Sequence, residues 1–110
     1  MLLALVCTAC SEESQLNSHR EKIESLQSTT AAIAGAWLAG DISRTYAVTA
    51  LDQTFVLIQQ ERAEVEEDAR ALADPRREQL SRRAETLARL SSAMRRDIQT
   101  GDAAALRQRQ

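Results

Sequence analysis

The sequence predicts an all-α protein, an antiparallel up-down-up three-helix bundle with a short C-terminal helix. Three observations predict it. Only three glycines and one proline occur in 110 residues, too little turn chemistry for a sandwich, a barrel or a run of βαβ units. Apolar residues from Leu16 onward recur at intervals of three and four, the spacing of helical seams. The breakers Gly40, Pro75 and Gly101 stand where those seams stop. With 44% apolar and 27% charged residues, the chain supports one modest core, and wholesale disorder or a two-domain enzyme is excluded.

The first helix carries the seam Leu16, His19, Ile23, Leu26, Thr30, Ile33 and Trp37. Gly40 supplies its C-terminal stop, and Asp41 suits the N-cap of the next helix. The second seam is Val48, Leu51, Phe55, Ile58, Arg62, Val65, Ala69 and Leu72. It ends at Asp74-Pro75, where aspartate caps and proline is tolerated in the first helical turn. Leu80, Ala84, Leu87, Ser91, Met94 and Ile98 form the third, which stops at Gly101-Asp102. The segment 54–58 has strand-like composition by itself but lies within a long helical pattern.

Folding back at the two breaks sets the seams against each other. Leu16 then faces Val65, His19 faces Arg62, Ile23 faces Ile58 and Leu26 faces Phe55. Across the second hairpin, Val65 faces Ala84, Arg62 faces Leu87, Phe55 faces Met94 and Leu51 faces Ile98. Short connections between long amphipathic helices imply antiparallel neighbours. The bundle is expected over residues 15–101, with residues 102–110 a short helix or frayed tail.

The chain opens Met-Leu-Leu-Ala-Leu-Val-Cys-Thr-Ala-Cys, followed directly by Ser-Glu-Glu-Ser. This apolar run is too short for a bilayer, which needs about 20 residues. An apolar run, then small residues, then an acidic start has the form of an export signal. Thr8-Ala9-Cys10 resembles the lipobox of bacterial lipoprotein precursors. Small side chains before the cysteine leave extended backbone accessible to a processing peptidase. Cys7 departs from the leucine usual three positions before the cysteine, and no basic residue precedes the run. An upstream start codon would supply that basic segment.

The resemblance implies a signal peptide over residues 1–9 and lipid attachment at Cys10, with residues 10–14 as anchor and linker. Ser11 after the cysteine implies outer-membrane sorting, facing the periplasm, by the same resemblance. The competing reading of Cys7 and Cys10 is a Cys-x-x-Cys pair for metal or redox chemistry. That reading lacks a βαβ core for a redox pair and offers only His19 as a further soft ligand.

Net charge is −2, but residues 41–74 carry −5 and residues 75–110 carry +5. Arginine provides most of the basic charge, which suits ion pairing. A phosphate-binding face is one reading of the basic third helix. The other sets Glu61, Glu64, Glu66, Glu67 and Asp68 against Arg76, Arg77, Arg82 and Arg83 across a hairpin. No aromatic residue interleaves the basic stretch, so nucleic acid is not an expected partner.

The layer of His19, Arg62 and Leu87 is the one polar interruption of the seams. It is either a register-setting core layer or a base and an anion-binding cation. Spacing places no further group beside the histidine to complete a catalytic set. Trp37 and Tyr46 flank the first turn and either plug the bundle end or form a contact patch. The carboxylates of 61–68 lack a calcium-loop pattern and are expected to form a solvated or ion-paired face. Phosphate-binding glycine loops, nucleophile elbows and paired His-x-x-x-His spacings are missing from the sequence.

No enzyme, cofactor, metal site or small-molecule substrate is therefore expected. The leading expectation is a lipid-anchored envelope protein whose bundle is structural or binds a protein partner. The alternative is a soluble cytoplasmic adaptor that pairs with a partner helix through an exposed seam.

Overall fold

Helical periodicity dominates the whole chain, and the protein is all-α. The computed structural model describes residues 2–72 and 75–110, with side chains described over 16–68 and 75–110. Four helices follow in order: α1 (Leu2–Leu38), α2 (Arg44–Leu72), α3 (Pro75–Thr100) and α4 (Ala103–Arg109). The expected signal segment 1–9, Cys10 with its linker to residue 14, and the turn residue Asp74 lie outside the residues described with their side chains. So do the seam members Ala69 and Leu72.

Both glycine breaks are built alike. Gly40 and Gly101 adopt φ of 78° and 72°, a left-handed conformation that costs a side-chain-bearing residue about 1–2 kcal/mol. At the first, the Gly40 N–H donates to the Trp37 carbonyl and the Asp41 N–H to Ala36. At the second, Gly101 donates to Ile98 and Asp102 to Asp97. This double closure satisfies carbonyls that a helix end leaves unpaired.

The start of α2 differs from the expected position. Ser43, not Asp41, caps it: the Ser43 Oγ accepts from the Tyr46 N–H at 3.1 Å, and its carbonyl from Ala47. Residues 41–43 form the turn, so α2 begins two residues later than an Asp41 cap would place it. The last segment is a helix rather than a frayed tail, capped by Asp102, whose carboxylate accepts from the Ala105 N–H. Pro75 opens α3 at the position where a missing N–H costs no hydrogen bond.

Every seam residue with a described side chain is buried or half-buried. Ile23, Ile58, Ala84, Leu87 and Ala88 form one core cluster, with Leu26, Phe55 and Leu80 against it. Ala34, Ala47, Leu51, Met94, Ile98 and Leu106 form the second, joined by Trp37 and Ile33. Leu90 packs against both clusters and links them.

Helices α1, α2 and α3 pack on one another, α2 against α3 most extensively, and α4 packs on α3. Each long helix faces two others, so its buried stripe is wider than a two-position seam. A second buried row on α2 follows, Ala47, Thr54 and Glu61 at heptad spacing. This row supplies the polar site described next.

Candidate polar site between α1 and α2

Glu61 continues the row of Ala47 and Thr54, and Asp68 stands one heptad further on. The row therefore turns from small and apolar to acidic along its length. His19 on α1 lies opposite. Its Nδ1 is 2.5 Å from Glu61 Oε1 and its Nε2 is 2.7 Å from Asp68 Oδ2. His19 and Glu61 are buried, with 7% and 5% exposure, and Asp68 is half-buried.

Both ring nitrogens face carboxylate oxygens, which accept hydrogen bonds, so the arrangement favours the imidazolium form of His19, the form that donates from both. Burial alone pulls its pKa down. Hydrogen bonds to Glu61 and Asp68, with the attraction of their charges, outweigh that and raise it above the ordinary imidazole value.

One turn along α1, the Lys22 ammonium lies 3.8 Å from Glu61 and 3.8 Å from Glu64. Lys22 and Glu64 are exposed at the rim. A cleft of about 310 Å³ opens beside them, lined by Ser18, His19, Lys22, Glu64, Glu67 and Asp68. From α3, the buried Arg77 donates to the Asp68 backbone carbonyl at 3.0 Å. Three residues here, His19, Glu61 and Glu64, bring potential metal-ligand atoms within 4.8 Å of one another.

The site residues expected from sequence are distributed differently. His19 is in the interior, but its partners are Glu61 and Asp68. Arg62, half-buried, turns to Glu66 at 3.1 Å and Glu85 at 3.9 Å, on the α3 side. The acidic run thus divides between two neighbours: Glu61, Glu64 and Asp68 serve α1, while Glu66 also meets Ser81 of α3. Arg83 reaches across to Glu24 and Gln27 of α1, and Arg82 pairs with Glu78 on its own helix. Trp37 packs into the core, whereas Tyr46 is 63% exposed.

Sequence spacing failed to select Glu61, Asp68, Lys22 and Glu64 as partners of His19. The available signal was the heptad continuation of Ala47 and Thr54 into Glu61 and Asp68. His19 and Lys22, three apart on α1, complement it.

No protein-family model, curated protein or solved structure matches this chain. Among the described residues no helix is long and apolar enough to cross a membrane.

Proposed function

We propose that this chain is a small exported protein held at the bacterial outer membrane by lipid on Cys10. Its three long helices form an up-down-up bundle that serves as a scaffold or docks a protein partner in the periplasm. The observation that carries the reading is the order of segments. An apolar run ending in Thr8-Ala9-Cys10 is followed by a short polar stretch, and the described core begins at Leu16. The anchor residues thus precede the described core, although α1 runs continuously through both. Acyl chains contribute about 0.8 kcal/mol per buried methylene, so multiple chains anchor a protein without a spanning helix.

A docking role accords with the surface of α2, where the adjacent Val56 and Leu57 are 53% and 51% exposed. Metabolic labelling with a clickable fatty acid tests the anchor. The wild-type chain is expected to take the label and fractionate with membranes, and Cys10→Ala to lose both properties. An unlabelled cytosolic chain retaining Met1 would overturn this reading and support the cytoplasmic adaptor instead.

A further inference from the structure

We propose that His19, Glu61 and Glu64 bind a first-row transition ion of the Zn²⁺ type, with Asp68 orienting the imidazole. The geometry of the cluster supports this in four respects. Its donor set is mixed: one imidazole and two carboxylates, with ligand atoms already within 4.8 Å of one another. Such ions hold nitrogen and oxygen ligands at about 2.0–2.2 Å. Closing the set onto an ion therefore needs rotation of Glu64, whose side chain is 56% exposed, and opening of the 2.5 Å contact between His19 Nδ1 and Glu61 so that the ion enters between them.

The second ring nitrogen of His19 is also engaged. Nδ1 faces Glu61, and Nε2 lies 2.7 Å from Asp68. An arriving ion would displace the Nδ1 proton to solvent, and with Nε2–H still donated to Asp68 the freed Nδ1 lone pair would join the two glutamates. A carboxylate behind the ligating imidazole fixes its tautomer and ring orientation in metal sites generally.

A cation already occupies the gap between the glutamates. The Lys22 ammonium sits equally far, 3.8 Å, from each carboxylate. Lys22 is 55% exposed on a flexible stem, so a divalent ion can displace it toward solvent. The cleft beside Glu64 leaves room for water to complete the coordination sphere.

The rigid frame is the fourth respect. Glu61 and Glu64 are three apart on α2, His19 projects from α1, and Ile23 and Ile58 close the adjacent core. A single imidazole with two carboxylates favours a borderline ion over Ca²⁺, which takes six to eight oxygens.

Isothermal titration of the chelator-treated full chain with Zn²⁺, and separately with Ca²⁺, tests the site. One Zn²⁺ per chain is expected, with Ca²⁺ far weaker. Glu64→Gln, at an exposed position, should keep its helical circular dichroism and lose at least about tenfold in affinity. His19→Ala should lose more. Lys22→Met removes the competing cation and should tighten Zn²⁺ binding several-fold. Absence of saturable Zn²⁺ binding would overturn the proposal, as would Ca²⁺ binding equally well. Zn²⁺ binding unchanged by both Glu64→Gln and His19→Ala would place the ion elsewhere on the chain, and would equally overturn it.

Discussion

His19 Nδ1 lies 2.5 Å from the Glu61 carboxylate, and both side chains are buried between α1 and α2. A buried ion pair gives little net stability when intact but costs about 3–5 kcal/mol when one partner is removed. This contact therefore sets which faces of α1 and α2 meet, because any slip strands a charge in the interior. Glu61→Ala should destabilise the fold by about 3 kcal/mol in urea unfolding. A loss below about 1 kcal/mol would mean that water reaches the pair freely.

Stability should depend on pH through the same histidine. The folded-state pKa is raised despite burial, which alone would lower it, because Glu61 and Asp68 hold the proton. The contribution is thus complete below the ordinary imidazole value and is lost as pH rises through the raised folded value. Lys22 and Glu64 flank the cluster, and Arg77 meets the Asp68 backbone from α3. In chelator-containing buffer, the urea midpoint should fall from mildly acidic to alkaline pH. Glu61→Gln should flatten that fall, and an unchanged slope would place the titrating group elsewhere.

Ser91 is 1% exposed, and its Oγ has no hydrogen-bond partner. An unsatisfied buried hydroxyl carries its desolvation cost without return. Ser91→Ala removes that cost and improves helix propensity, so a gain of about 0.5–1 kcal/mol is expected. A destabilised Ser91→Ala chain would show that the hydroxyl is bonded in solution.

The two residues that hold α4 should differ sharply in weight. Leu106 is completely buried in the second core cluster, so Leu106→Ala should cost about 2–4 kcal/mol. Arg109 pairs with Asp97 at 2.6 Å but is 40% exposed, and Arg109→Ala should cost less than about 1 kcal/mol. Hydrogen exchange of the α4 amides would report both, with Leu106→Ala opening the helix and Arg109→Ala barely changing it.

Left-handed glycines end α1 and α3, and alanine at either should cost about 1–2 kcal/mol. A Cβ at Gly40 meets nothing within 4 Å, whereas one at Gly101 comes within 3.1 Å of the Arg44 guanidinium. Gly101→Ala should therefore be at least as damaging as Gly40→Ala, with thermal midpoints giving the order.

Much of the fold was legible in the residues. The seams marked the buried face of each long helix, and Gly40, Pro75 and Gly101 marked the breaks. The capping residue of α2 was not, since Asp41 and Ser43 have equal chemical claims. The length of the turn after Gly40 decides between them, and the sequence does not state it: Asp102 caps directly after the same closure at Gly101, and Asp41 does not. A two-position seam also omits the flanking row that a helix with two neighbours buries. Glu61 and Asp68 belong to that row. A carboxylate run viewed by composition alone reads as a wet surface, and burial of Glu61 depends on α1 arriving over it.

Arg44 begins α2 yet lies against Gly101, just beyond the end of α3. At the start of its own helix the positive charge opposes the macrodipole, while the end of α3 carries the negative pole and has no basic residue in its last turn. The guanidinium thus reaches from an unfavourable field to a favourable one, a gain of about 0.3–1 kcal/mol at low ionic strength. The first hairpin and the last turn of the long helices are thereby electrically joined at one end of the molecule. Added salt should loosen that end before it affects the sheltered ion pair between His19 and Glu61.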